Sequence, residues 1–177
     1  GAIDRPTKGR IFLHDEELSV LSDEALALIR RKKIGFIFQD FNLIPRLSAW
    51  ENVAYPLIPI IYNEKERKER AVALLERLGL GKRINHTPEE MSGGEQQRVS
   101  IARALVNNPE ILIADEPSSN IDAKAIENLI SILTDLREKG MTIIISTHDS
   151  VFYPHADIKI NLKEGVLINI EQRAQRS

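Results

Sequence analysis

The chain contains no cysteine in 177 residues. That excludes disulfide staples and thiolate metal sites, and it fits a reducing compartment. It also has no long apolar run. The longest nearly apolar stretch, "VAYPLIPIIY" at 53–62, holds Pro56 and Pro59 and falls far short of the ~20 residues a helix needs to cross a bilayer. The expectation is a chain that does not itself span a membrane, and no secretory signal pattern is visible at its start. Charge of one sign is missing as well: 24 Lys+Arg stand against 26 Asp+Glu, for a net charge of −2. There is no basic stripe, so a nucleic-acid partner is not expected, and there is no acidic tail. Internal repeats and low-complexity segments are absent too. Finally, no G-x-x-x-x-G-K-[ST] phosphate loop occurs anywhere. The closest approach, Gly79-Leu-Gly-Lys82, lacks the first glycine at the right offset, has Arg83 where Ser or Thr belongs, and follows a helical pattern. It reads as a helix stop.

What is present reads as one domain of ordinary size, large enough to bury roughly 70% of its unfolded surface. "RIFLH" (10–14) is a short strand after the turn "PTKG". "SDEALALIRRKK" (22–33) is a helix, with Ser22 as its cap, acids in its first turn and bases in its last. "IGFIF" (34–38), "ILIAD" (111–115) and "TIIIST" (142–147) are apolar strands. "SAWENVAYPLI" opens on Ser48-x-x-Glu51, a capping-box spacing. Residues 63–80 form a helix with i,i+4 charges, an apolar stripe at Val72, Leu75 and Leu78, and a stop at Gly79. Further helices are expected at 94–107 and at 123–139, the second ending at Gly140. "DIKINL" and "VLINI" flank a Glu164-Gly165 turn as a hairpin. Strands alternating with helices predict an α/β fold with a largely parallel sheet. Residues 48–92 interrupt the alternation with helices alone, which predicts an inserted helical subdomain.

Three strands end in polar groups. Asp115-Glu116 closes "ILIAD", Gln39 follows "IGFIF", and His148 follows "TIIIST". Strand ends in α/β proteins deliver side chains to the sheet edge where ligands bind. An acid there can hold Mg²⁺, and a second acid can polarise a water. Ser92-Gly93-Gly94 opens a helix, where free N–H groups and small residues admit a phosphate. Taken alone, each of these is also an ordinary strand end, helix cap or loop residue.

Their order and spacing together resemble the ATP-binding cassette (ABC) transporter ATPases, over nearly the whole chain from "DRPTKG" to "KEGVL". "FQD" looks like the Q-loop, "MSGGEQQRVSIARAL" like the signature motif with its helix, and "ILIADEP" like the Walker B strand. "SSNID" looks like the D-loop and "STHD" like the switch-histidine loop. Within the family, "KIGFIFQDFNLIPRLSAWENVAYPL" and "SGGEQQR" are most similar to the lipoprotein-release and macrolide-export type. Met91 where Leu is usual, Glu95 where many members carry Gln, and the wording of "PSSNID" are small departures that keep Asp122.

The resemblance implies a P-loop NTPase-like fold and ATP hydrolysis between two head-to-tail copies. In that arrangement Asp115 and Gln39 serve Mg²⁺, and Glu116, His148 and Gln39 serve catalysis. Ser92, Gly93, Gly94, Glu95 and Asp122 lie toward the nucleotide and dimer contact. Residues 1–47 and 93–177 would form the catalytic core. The insert, 48–92, would receive helices of a membrane permease subunit or domain, at the cytoplasmic face of the inner membrane. In the family the phosphate loop and the adenine-stacking aromatic precede "DRPTKG". The resemblance therefore implies an N-terminally truncated chain whose missing strand lies mid-sheet between 142–147 and 157–162, with strands 34–38, 111–115 and 142–147 pairing in that order.

Hydrogen bonds to a charged group are worth about 1.5–3 kcal/mol each. Losing three would remove about 5–9 kcal/mol from a micromolar site worth about 8.2 kcal/mol. These residues alone are thus expected to hold ATP at millimolar strength or weaker. Two other readings stand beside this one. The first is a non-catalytic regulatory or interaction protein of the same fold, although Gln39, Glu116 and His148 would be free to drift there. The second is a chromosome-maintenance ATPase, although those insert long coiled coils where this chain has a short, proline-interrupted interval.

Overall fold

A computed structural model describes residues 2–173. The element order is β1 (Phe12–Leu13), β2 (Glu16–Glu17), α1 (Asp23–Lys33), β3 (Ile34–Ile37), α2 (Ala49–Ala54), α3 (Glu64–Arg77) and α4 (Gly93–Leu105). Next come β4 (Ile111–Asp115), α5 (Ala123–Glu138), β5 (Thr142–Ser146), β6 (Ile158–Lys163) and β7 (Val166–Gln172). The strand expected at 10–14 is only two residues long. It turns back at His14, which has φ +51°, to pair with β2.

The central sheet has the order β3-β4-β5, all parallel, with Ile34 opposite Ile111 and Ile111 opposite Thr142. This is the expected spatial order. Among the described residues β5 pairs with β4 alone, and β6 pairs with β7 as a separate antiparallel hairpin. Glu164 and Gly165, at φ +50° and +77°, make its two-residue turn.

Side chains alternate across the sheet. Ile34, Phe36 and Ile113 pack with Leu18, Leu26 and Ile29, so α1 covers one face. Ile37, Leu112 and Ala114 pack on the other face with Ile101, Ala104 and Leu105 of α4 and with Leu129 and Leu133 of α5. A further core joins Val53 and Leu57 to Ala71 and Leu75 of α3, to Val99 and Ala102 of α4 and to Val106 just after it. Helix α4 therefore contributes to two cores, and the helical segment 48–92 shares its interior with the helix that follows it.

Local chemistry sets the helix ends. Ser22, Asn63, Ser92 and Asp122 each accept a hydrogen bond from a backbone N–H one turn on. Ser48 and Glu51 form the expected capping box, and the carbonyls of His86 and Ile84 take up the N–H groups of Ala49 and Trp50. Helices α3 and α5 stop alike. Gly79 and Gly140 turn to φ +73° and +92°, and the next residue donates back to Leu75 or Leu136, the Schellman closure. Of the expected stripe on α3, Leu75 is buried and Val72 and Leu78 are half-buried, while Ala71 is the second fully buried residue.

Gly35 fixes how closely α4 approaches the sheet. A Cβ there would stand 2.6 Å from the carbonyl oxygen of Ala104. Gly35→Ala is expected to destabilise the fold by about 1–3 kcal/mol through overpacking, read as a lower urea midpoint with an unchanged m-value. An unchanged midpoint would mean that α4 does not sit this close to β3.

Candidate active site

Because β3, β4 and β5 run parallel and in register, their carboxyl ends share one edge of the sheet. Gln39 lies in the turn after β3, Asp115 ends β4 opposite Ser146, and Thr147-His148 follow β5. The polar strand ends that the sequence separates by more than a hundred residues are thus brought together.

Glu116 is the most constrained of them. Its backbone lies in the left-handed region at φ +42°, a conformation a non-glycine residue keeps only when its surroundings hold it. The surroundings do so: its N–H donates to Ser146 O at 2.8 Å. Its carboxylate accepts from Thr147 Oγ1 at 3.1 Å, His148 N at 3.2 Å and His148 Nδ1 at 2.8 Å. The His148 imidazole is the chief cause holding the Glu116 carboxyl below the usual carboxylate range, with Thr147 adding and burial opposing. In return, Glu116 raises the pKa of the exposed His148. The Asp115 side chain is exposed and makes no hydrogen bond among the described residues. No group of three or more His, Cys, Asp or Glu side chains there could cage a metal. A single free carboxylate suits Mg²⁺, which takes one or two protein oxygens and completes its shell with phosphate and water.

The Ser92 loop is built differently. Ser92 Oγ accepts from Glu95 N, and Ser92 N donates to Glu95 Oε2 at 2.9 Å, a reciprocal capping box that opens α4. Glu95 Oε1 accepts from Arg83 Nε at 2.9 Å. Both carboxylate oxygens of Glu95 are therefore used inside the chain, and the Ser92 N–H above all holds its carboxyl below the usual range. Gly93 and Gly94 have a packing reason to be glycine as well. Their Cβ atoms would lie 2.8 Å from Asn120 O and 2.9 Å from Ala125 Cβ. Asp122 accepts from Ala125 N at 2.8 Å and starts α5. No hydrogen bond joins Ser92, Gly93 or Gly94 to Asp115, Glu116 or His148 among the described residues.

Several residues that support this site escaped the sequence reading. Ser118, buried, donates to Asp149 Oδ2 at 2.9 Å and ties the turn after Glu116 to the His148 loop. Gln97, fully buried on α4, donates to Pro117 O at 3.1 Å. Asn120 donates to Gln39 O and Asp40 Oδ1. A glutamine facing inward on an apolar helix was a legible signal; Ser118 and Asn120 fall within "SSNID", but nothing in that stretch pointed to Asp149 or Gln39 as their partners.

A parallel sheet whose strand ends gather a free acid, a glutamate–histidine pair and a glutamine is the edge of a P-loop NTPase-like domain. The protein belongs to the ABC transporter family, whose model matches residues 2–119. An uncharacterized ABC transporter ATP-binding protein of Thermotoga maritima is 45% identical over 98% of this chain and 74% of its own length. The macrolide export ATP-binding/permease protein MacB of Bdellovibrio bacteriovorus is 44% identical over 97% of this chain, which spans only 26% of that protein. The dimeric structure of a post-hydrolysis state of the ATP-binding cassette MJ0796, bound to ADP and Pi, superimposes with a TM-score of 0.88 at 41% identity, covering 98% of this chain and 78% of that one.

The pair Glu116–His148 is at full strength between the depressed glutamate pKa and the raised histidine pKa. It is lost on the acid side as pH falls through the first, and on the alkaline side as pH rises through the second. Titration of the His148 ring by NMR is expected to give a pKa above the ordinary value of about 6.5, and Glu116→Gln is expected to bring it back toward that value. A His148 pKa that ignores the substitution would mean that the two side chains do not meet.

Proposed function

We propose that this chain belongs to the ATP-binding subunit of an ABC transporter. The intact protein hydrolyses ATP at the contact between two copies and so powers export or lipoprotein release by a membrane partner; these 177 residues, which hold no G-x-x-x-x-G-K-[ST] loop, are not expected to do so alone. The observation that carries the reading is Glu116. It is held in a left-handed turn and hydrogen-bonded to His148, beside the Asp115 carboxylate, which makes no hydrogen bond among the described residues, at the same sheet edge. Further support comes from the relatives. The MJ0796 cassette is a dimer bound to ADP and Pi, and MacB carries its permease in the same protein.

In this reading Asp115, with Gln39, holds Mg²⁺, which supplies charge neutralisation for the phosphates when bound. The Glu116 carboxylate, kept ionised by its partners, orients the attacking water and takes its proton. His148 keeps Glu116 in that orientation and presents its other ring nitrogen to the γ-phosphate. Ser92, Gly93 and Gly94 offer hydroxyl and helix-start N–H groups to the γ-phosphate of the second copy's nucleotide, and Asp122 lies at that contact. Glu95 acts by fixing the Ser92 loop.

The membrane partner sits against the helical segment 48–92, where Tyr55, Ile58, Ile60 and Tyr62 form an exposed apolar stretch. No helix among the described residues is long and apolar enough to cross a membrane. The proposed location is the cytoplasmic face of the inner membrane, with the chain attached through that partner.

The test is Glu116→Gln in the assembled transporter. Turnover is expected to fall by roughly 10²–10⁴, with ATP binding retained. Undiminished turnover would remove Glu116 from the catalytic role.

A further inference from the structure

The loop from Phe38 to Ser48 carries Gln39 and leads into α2. Phe41 and Asn42 stand side by side at φ +59° and +48°, two consecutive non-glycine residues in the left-handed region. Such a conformation persists only where neighbouring groups enforce it. Inside the loop the only backbone bonds to these residues are Phe41 N to Phe38 O and Asn42 N to Asp40 O. The rest of the restraint comes from outside. Arg103 of α4 donates through its two terminal nitrogens to the carbonyls of Phe41 and Asn42. Asn120 Nδ2 donates to Gln39 O at 3.0 Å and to Asp40 Oδ1 at 3.1 Å. Farther along, Asn52 binds Ile44 through both its backbone groups and also takes the Leu47 carbonyl.

Arg103 is an unusual choice for this task. It is half-buried, burial lowers its pKa, and no carboxylate pairs with it among the described residues. A partly desolvated guanidinium with no counterion is best retained where its donors are well used. The two loop carbonyls are the hydrogen bonds it makes there. Both fasteners also reach the helix that begins at Ser92. Arg103 stands on α4 itself. Asn120 grips the Gln39 turn with its side chain, while its carbonyl oxygen packs against Gly93, where a Cβ would stand only 2.8 Å away.

We propose that Arg103 and Asn120 are positioning residues that fasten the Gln39 loop to the Ser92-Gly93-Gly94 helix, so that these two segments keep one relative position and shift together. Neither touches a reacting atom. The inference rests on the functional reading above only for the ligand roles of Gln39 and Ser92–Gly94; the fastening itself is testable without nucleotide.

The experiment is amide hydrogen exchange followed by mass spectrometry on Arg103→Met, Arg103→Lys, Asn120→Ala, Gly93→Ala and the double variant Asn120→Ala/Gly93→Ala. Arg103→Met is expected to speed exchange across residues 39–44 roughly tenfold or more, the loss associated with removing charged hydrogen bonds. Residues 64–77 of α3 are expected to stay protected, and Arg103→Lys to restore part of the protection. Gly93→Ala pushes on Asn120 and touches none of residues 39–42, yet it is expected to loosen them. Asn120→Ala is expected to abolish that transmitted effect, so that the double variant matches Asn120→Ala alone in this segment. If Arg103→Met does not fold, the Gly93–Asn120 cycle decides the matter by itself. Unchanged exchange at 39–42 in Gly93→Ala, or effects of Gly93 and Asn120 that simply add, would overturn the proposal.

Discussion

Helix α4 is the member on which the other parts lean. One side of it, Val99 and Ala102 with Val106 at its end, closes the core of the helical segment. Another side, Ile101, Ala104 and Leu105, lies on the sheet. Its Ala104 carbonyl sits so close to β3 that only glycine fits at position 35. Its first turn presents Ser92, Gly93 and Gly94, and its interior polar groups, Gln97 and Arg103, reach the turn after Glu116 and the loop after Gln39. Packing one helix into two cores makes its position over-determined. An over-determined helix can hold a ligand loop at one end and restrain two others along its length.

The chemistry depends on a second constraint, the parallel register of three short strands. Register alone brings Asp115, Glu116, His148 and Gln39 to one edge. What differentiates two adjacent acids there is environment. Asp115 ends its strand exposed, with a free carboxylate suited to a hard cation. Glu116 turns left-handed and is taken up by Thr147 and His148. In the proposed function this pair would supply a metal ligand and an oriented base, and what separates the two acids in the structure is one backbone dihedral angle and three hydrogen bonds.

Much of this was legible in the sequence, for physical reasons. Helix limits were readable because caps and stops are local: Ser22, Ser48, Ser92, Asp122, Gly79 and Gly140 act within one turn of where they stand. The strand order and the gathering of Gln39, Asp115, Glu116 and His148 were readable because the motif order carried a family resemblance. The supporting contacts were not readable. Asn120 to Gln39 and Ser118 to Asp149 are pairings between distant loops, and no local pattern encodes them. Glycine was ambiguous in the same way. Gly93 and Gly94 suit phosphate approach, yet the fold also needs them small against Asn120 and Ala125. The short strand expected at 10–14 is shorter still, Phe12–Leu13, because the chain turns at His14 and Glu16–Glu17 fold back on it.

The central claim is that one nucleotide lies between Glu116 and His148 of one copy and Ser92, Gly93 and Gly94 of another. Its most direct test is a structure of the assembled ATPase trapped with Mg²⁺, ADP and vanadate. The account predicts vanadate in contact with the His148 ring and a Glu116-bound water on one side, and with the Ser92 hydroxyl and the α4 N–H groups of the second copy on the other. Vanadate held by Ser92–Gly94 of the same copy, or bound without Glu116 and His148 nearby, would contradict it.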